Sequence, residues 1–183
     1  MRRKFLAFTI MIGVILFNSC KNDFKANADK KAGTENKILQ QNDGVISLKV
    51  DKAECYSDQT NPSCNTAEWN VVVSKSGRFN VWLSSATKDT TNLQYKNSVM
   101  LSIRDNRLEA HPACDKIIQN SGDVNYPYFR ADSFVGTLYI QDTGLINIQV
   151  ISEKIVPKNN KNNGSSASEN SKLLSVFFMP VTN

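Results

Sequence analysis

Residues 69–83 read WNVVVSKSGRFNVWL, and their hydrophobic pattern decides the fold. Apolar residues occupy alternate positions on both sides of a short polar segment that ends at Gly77. A period of two is typical of strands with one buried face, and a short glycine-containing segment between two such strands favours a β-hairpin. The same parity places Trp69 in the core and directs Trp82 to the opposite face from Val81.

The alternation returns along the chain in short segments separated by Gly, Asn and Asp turns. No window of about eleven residues in the mature part sustains helical spacing. We therefore expect an all-β domain, a two-sheet antiparallel β-sandwich, over residues 44–183. The further candidate strands are 138–140 and 146–150, which form a second predicted hairpin, and 46–50, 99–103 and 174–178.

Residues 1–19 predict a lipoprotein signal peptide. Basic residues at 2–4 precede an uncharged apolar run over residues 5–17, and a small residue, Ser19, stands directly before Cys20. The run is too short for a membrane-spanning helix, which needs roughly 20 residues, and fits a cleaved export signal. We expect cleavage before Cys20 and acylation of its thiol, which anchors the mature chain to a lipid bilayer. The alternative is an ordinary secretory signal.

This N-terminal segment resembles the signals of Bacteroidota lipoproteins, which accept residues such as Phe17 and Asn18 before the cysteine. Lys21, rather than Asp, follows the cysteine. By resemblance to known sorting rules, this position disfavours retention in the inner membrane. The resemblance therefore implies a location at the outer membrane or the cell surface.

Two polar segments flank or interrupt the domain. Residues 20–43 have few large apolar side chains and predict a flexible tether between the lipid and the domain. Residues 158–171 are rich in Asn and Ser and predict a disordered surface loop.

The charge of the chain argues against a nucleic-acid ligand. The chain has 22 Lys+Arg and 17 Asp+Glu, and removal of residues 2–4 leaves 19 against 17. The remaining basic residues form no stripe with interleaved aromatics, so the mature part has no nucleic-acid-binding signature.

Several segments together resemble a known family of modules. They are GVISL at 44–48 followed by Ala53-Glu54, the segment 69–83, FVGTLYIQDTGLINIQV at 134–150 and LLSVFFMPV at 173–181. This arrangement resembles the jelly-roll carbohydrate-binding modules of families six and thirty-five and the related galactose-binding-like domains of secreted glycosidases. The resemblance implies a jelly roll and a non-catalytic, glycan-binding role. It also implies a structural calcium ion, with Glu54 as one ligand and Asp142 as a partner, and the alternative is a solvated Glu54.

Aromatic and amide side chains are the candidate ligand-binding groups. Aromatic rings stack on sugar rings, while polar side chains hydrogen-bond the hydroxyls. Trp82 is the first candidate, the loop residues Asn125, Tyr126 and Tyr128 are the second, and Tyr56 is the third. The alternative for each ring is packing under a loop. The same outward face would then serve a structural or protein-interaction module of the cell envelope, the rival function.

The cysteines fit an exported protein. With Cys20 assigned to lipid, Cys55 and Cys64 bracket a turn-rich segment, and we expect a disulfide bond between them. Cys114 is then a buried thiol or an alternative partner. A zinc site formed by the three mature cysteines and His111 is the other option, which lacks a C-x-x-C pair.

Catalysis has little support in the sequence. His111 is the only histidine and lies in a predicted loop, and no G-x-S-x-G motif accompanies it. Many carboxylate pairs exist, but no pattern singles one out for glycoside hydrolysis. We therefore expect a binding domain and not an enzyme.

The lipid anchor is tested by Cys20→Ala. We expect this variant to move from the membrane fraction to a soluble or unprocessed form, because the acylated thiol is the anchoring group. Fractionation with metabolic labelling by a palmitate analogue measures the change. Absence of label from the wild-type protein would contradict the lipoprotein assignment.

Overall fold

The computed structural model describes residues 37–58, 60–156 and 171–182. The signal peptide, residues 20–36 of the predicted tether and nearly all of the predicted loop at 158–171 lie outside these residues. No helix in the described ranges is long and apolar enough to cross a membrane. The strands are β1 (Lys37–Leu39), β2 (Ile46–Lys49), β3 (Glu54–Tyr56), β4 (Thr66–Val73), β5 (Gly77–Thr87), β6 (Val99–Ile103), β7 (Asn106–Ala110), β8 (Lys116–Ile118), β9 (Phe129–Ile140), β10 (Gly144–Ile151) and β11 (Ser171–Pro180).

The strands form two sheets that pack face to face. The six-stranded sheet has the order β1–β4–β10–β6–β7, with β3 also paired to β4, and the five-stranded sheet has the order β2–β11–β5–β9–β8. β1 runs parallel to β4, and the other pairs are antiparallel. Strands from the two ends of the chain are neighbours within the five-stranded sheet, as in a jelly roll. The predicted all-β sandwich is confirmed.

Neither of the two predicted hairpins forms. β4 belongs to the six-stranded sheet and β5 to the five-stranded sheet, so residues 74–76 cross from one sheet to the other. Residues 141–143 make the same kind of crossing between β9 and β10. The Gln40 side-chain oxygen accepts hydrogen bonds from the backbone N–H groups of Ser74 at 2.9 Å and Lys75 at 2.7 Å, which stabilises the first crossing. Alternation specifies which face of a strand is buried, but it does not specify the partner strand.

The core lies between the sheets and takes alternate residues from both. Trp69 is buried as predicted, and its indole N–H donates a hydrogen bond to the Lys49 carbonyl oxygen at 2.9 Å. Phe79 and Phe178 meet edge to face, with ring centroids 6.5 Å apart. The fully buried large side chains include Ile46, Leu48, Val71, Val73, Phe79, Val81, Leu83, Leu101, Ile148 and Phe178.

Two local features depart from the sequence-based boundaries. Strand β1 (Lys37–Leu39), which precedes Gly44, pairs with β4 through Leu39 and Val72. In β11 the register shifts between Leu173 and Ser175, so Leu173 is buried, whereas Leu174, the predicted core residue, is only half-buried. The predicted loop likewise ends before Ser171, whose hydroxyl donates to the Leu93 carbonyl oxygen.

Phe178→Ala tests this core. We expect it to lower the free energy of unfolding by about 3–5 kcal/mol, because it leaves a cavity beside Phe79. The neighbouring Met179→Ala removes a half-exposed side chain and should change it by less than about 0.5 kcal/mol. Urea unfolding measures both. Equal effects of the two variants would contradict the observed strand parity.

Candidate functional site

The outward face of the five-stranded sheet carries three aromatic side chains at one register position. Phe177 in β11 is opposite Trp82 in β5, and Trp82 is opposite Phe134 in β9. Neighbouring strands lie about 4.8 Å apart, so the three rings form a strip about 10 Å wide across the sheet. We call Phe177, Trp82 and Phe134 the aromatic strip.

A β-bulge shapes the strip. The register of β5 with β9 shifts between Val81, which is opposite Gly136, and Trp82, which is opposite Phe134. The extra residue turns Phe134 to the outward face, where it is 44% exposed. The ring centroids of Trp82 and Phe134 lie 5.2 Å apart, with the ring planes tilted by 56°. Trp82 is half-buried in this position, which agrees with its predicted direction away from the core.

Charged side chains border the strip on one side. The Arg130 guanidinium lies 5.1 Å from the centroid of the Phe177 ring. Its Nε and Nη2 atoms donate to the two carboxylate oxygens of Asp132, at 2.8 and 3.1 Å. Asp132 also accepts a short hydrogen bond from the buried hydroxyl of Ser84. This bidentate geometry fixes the guanidinium plane beside the aromatic strip.

A second carboxylate connects this cluster to the edge strand β2. Asp123 accepts from Lys49 Nζ at 3.2 Å and from Arg130 Nη1 at 3.0 Å. The hydrogen bond from Lys49, reinforced by the positive charges of Lys49 and Arg130, lowers the pKa of the Asp123 carboxyl. The bridge holds the loop at residues 119–128 over part of the outward face. The four charges of Lys49, Asp123, Arg130 and Asp132 sum to zero.

The predicted tyrosine loop does not continue the aromatic strip. Tyr126 is 92% exposed, next to a cis peptide bond with Pro127, and the Tyr128 N–H donates to the Asn125 carbonyl oxygen at 3.0 Å. Lys88 Nζ lies 5.1 Å from the Tyr128 ring centroid. Lys88 follows Trp82 by six positions (88 − 82) along the chain, or roughly 20 Å of extended strand. Tyr128 therefore lies at the end of the sheet, away from Trp82.

Tyr56 and the predicted calcium ligands belong to the other sheet or its turns. The Tyr56 hydroxyl donates to a Glu54 carboxylate oxygen at 2.8 Å, and this hydrogen bond is the main cause that raises the pKa of Tyr56 to about 12. Glu54 is opposite Glu68, whereas Asp142 forms an ion pair with Arg104 near the other end of β4. The structure does not bring Glu54 and Asp142 together.

The predicted Cys55–Cys64 disulfide bond is absent from the structure. The Cys55 thiol lies 3.9 Å from the Val50 carbonyl oxygen, and the Cys64 sulfur accepts a hydrogen bond from the Asn61 side chain at 3.2 Å. Cys64 ends a short 3-10 turn, Pro62–Cys64, that directs its side chain to solvent.

The zinc alternative has no support in the described part of the chain, where no group of three or more His, Cys, Asp or Glu side chains is placed to hold a metal ion. His111 is exposed in the segment after β7. Burial is the main cause that raises the pKa of the half-buried Cys114 thiol.

Sequence reasoning found Trp82 but missed the residues that adjoin it. Phe134 and Phe177 come from distant segments, and the bulge hides the parity of Phe134. Arg130 follows Tyr128 of the predicted tyrosine loop by two positions and had no assigned role. The one available signal was the consecutive pair Phe177-Phe178, because adjacent residues of a strand point to opposite faces.

Comparisons with known proteins bear on the fold. The sequence matches no protein-family model and has no significant match among curated proteins. The structure is similar to part of the α-L-fucosidase from Vibrio sp. strain EJY3, with a TM-score of 0.61 and 17% identity over 80% of this chain and 24% of that one. It also matches the GH26-CBM35 β-(1,4)-mannanase of Podospora anserina, with a TM-score of 0.46 and 10% identity over 77% of this chain and 28% of that one. The chain spans about a quarter of the length of these structures, and the fucosidase similarity shows the sandwich fold.

Asp123→Asn tests the charged bridge. At pH 7 we expect it to lower the free energy of unfolding by up to about 1 kcal/mol, the usual size for an exposed ion pair. The lowered pKa means that the carboxylate stabilises the fold above the ordinary pKa of about 4, and that this contribution is lost as pH falls through the lower, folded-state value. The difference from wild type should therefore disappear in acid, as measured by urea unfolding at several pH values.

Asp105→Asn is the matched control, since it removes the same charge from an exposed turn. A difference between Asp123→Asn and wild type that is constant down to about pH 2 would contradict the ionic bridge.

Proposed function

We propose that this protein is an exported, lipid-anchored and non-catalytic glycan-binding domain that uses the aromatic strip. The observation that carries the proposal is the alignment of Phe177, Trp82 and Phe134 across three neighbouring strands, with Phe134 half-exposed. Large aromatic side chains are normally buried on the inward face of a sandwich. A row of them on the outward face provides apolar surface for a ligand.

The chemistry of the strip suits a sugar. The apolar faces of pyranose rings stack on aromatic rings, and the Trp82 and Phe134 rings are tilted toward each other at contact distance. Polar groups flank the rings on both sides: the Arg130–Asp132 pair on one side, and Asn80, which accepts from the Thr137 hydroxyl at 2.8 Å, on the other. Apolar surface with a few fixed polar groups is the usual composition of a small-ligand site.

The charged groups support binding rather than catalysis. Asp132 is buried and accepts hydrogen bonds from Arg130 and Ser84, so its carboxylate is not placed to act on a ligand as an acid or a base. The only histidine, His111, lies in an exposed segment and outside this cluster. The Asp132 carboxylate therefore holds Arg130 in place.

The signal peptide at residues 1–19 and acylation of Cys20 supply the anchor, at the outer membrane or the cell surface. A related fold occurs within an α-L-fucosidase, an enzyme that acts on carbohydrate, which supports the choice of a glycan over other small ligands.

A glycan-array screen followed by calorimetry tests the proposal. We expect Trp82→Ala and Phe134→Ala each to weaken binding of an array hit at least about tenfold, corresponding to 1.4 kcal/mol of lost contact energy. Tyr56→Ala is the matched control, because it removes an exposed ring from the other sheet and should leave affinity unchanged. The thermal midpoint of each variant is measured in parallel.

No glycan retained in a broad screen would contradict the proposal and favour the protein-interaction module. Loss of binding by Tyr56→Ala alone would place the site on the other sheet.

A further inference from the structure

A second outward feature lies on the opposite face of the sandwich. In the six-stranded sheet, Leu39 in β1 is opposite Val72 in β4, and Val72 is opposite Leu145 in β10. Leu39 is 68% exposed and Leu145 is 49% exposed, and Val72 lies half-buried between them. We call these three residues the Leu39 row. They form a continuous apolar row about 10 Å wide.

The middle of that face is polar. The next outward positions carry Asn70 and Asn147, and the following ones carry Glu68 and Gln149, whose side chains hydrogen-bond one another. These polar side chains separate the Leu39 row from the half-buried pair at the other end of the sheet, Met100 and Ile151. An exposed apolar patch at the end of a sheet face indicates a contact surface.

The row includes a residue of the first described strand that follows the proposed anchor in the sequence. Leu39 lies in the first strand of the described domain, and Lys37 follows Cys20 by 17 positions (37 − 20). Even a fully extended chain of that length spans at most about 60 Å. Leu39 thus lies on β1, the first described strand after the proposed acyl anchor.

Two lysines lie close to Leu39 at this end of the sheet, and one exposed aspartate, Asp43, follows it by four positions. Lys37 precedes Leu39 in β1, and Lys75 lies in the crossing that is hydrogen-bonded to Gln40, directly after Leu39. The nearby Asp142 is neutralised by its ion pair with Arg104. Leucines flanked by lysines suit the boundary between acyl chains and head groups.

We infer that the Leu39 row is the surface on which the domain rests against the bilayer that carries its anchor. This inference rests on the proposed acylation of Cys20. It orients the molecule, because the aromatic strip is on the opposite sheet and faces away from the membrane. Each apolar contact is weak, and the anchor makes it effective by keeping the domain close to the bilayer.

Methyl NMR of the acylated, mature protein in phosphatidylethanolamine–phosphatidylglycerol vesicles or nanodiscs tests this inference. With nitroxide-labelled lipid present, the Leu39 and Leu145 methyl signals should lose most of their intensity. Val156 is the internal control, because it is 52% exposed and follows Ile155, whose carbonyl accepts from Asn65 at the other end of β4. Its methyl signals should keep their intensity.

The double variant Leu39→Ser/Leu145→Ser supplies a second readout. These side chains are exposed, so the fold should persist, and the Val72 methyl signals should recover their intensity in the presence of the nitroxide lipid. Val156→Ser is the matched variant and should leave the Val72 effect unchanged.

These experiments distinguish membrane contact by the Leu39 row from lipid anchoring through Cys20. Protein that floats with the vesicles but shows equal intensities at Leu39 and Val156 would overturn the contact and leave the anchor intact. Protein that does not float would overturn both. Concentration-dependent shifts of the Leu39 methyls in Cys20→Ala protein without lipid would assign the row to a second copy of the chain and overturn the bilayer contact.

Discussion

Burial of alternate side chains between the two sheets is the constraint on which the rest of the structure depends. Val81 and Leu83 are completely buried, so Trp82, between them, has to project outward. The same rule places Phe177 between Val176 and Phe178, which are both completely buried. A slip of one residue in either strand would expose the core and bury the aromatic strip. The core therefore determines the outward direction of Trp82 and Phe177, whereas the β-bulge determines that of Phe134.

The sequence was sufficient to predict the class of fold and the buried faces, but not the pairing of strands. Residues 69–83 contain two strands of the predicted parity, yet the two strands belong to different sheets. The sequence pattern did not reveal this, because a hairpin and a crossing between sheets can both bury Val73 and Phe79 in the same core. Parity also failed locally where a bulge adds a residue, as between Leu173 and Ser175. Short edge strands such as β8, which has three residues, are too short to give a periodic signal.

The candidate site was predictable only in its central residue. The outward direction of Trp82 could be predicted from the parity of its own strand. Phe134 and Phe177 lie beside it only because distant strands pair in a particular register, and Arg130 contacts the Phe177 ring. The sequence suggested the tyrosine loop as a binding site, but the Tyr128 ring lies beside Lys88 at the end of the sheet. The two outward faces differ in chemistry. The five-stranded sheet presents aromatic rings beside hydrogen-bonded charged groups, and the six-stranded sheet presents leucines at and near its N-terminal strand β1. In the two proposals made here, the aromatic strip is the ligand face and the Leu39 row is the face toward the bilayer.

The central claim is that the aromatic strip binds a glycan, and the two tryptophans of the chain provide a direct readout. The indole N–H of Trp69 is buried and hydrogen-bonded to Lys49, whereas Trp82 is on the outward face. In a nitrogen–proton NMR titration of the mature protein with a panel of soluble oligosaccharides, we expect a saturable shift of the Trp82 indole signal, while that of Trp69 stays in place. Glycan binding by the aromatic strip is ruled out if no member of the panel shifts the Trp82 signal, or if both signals shift equally.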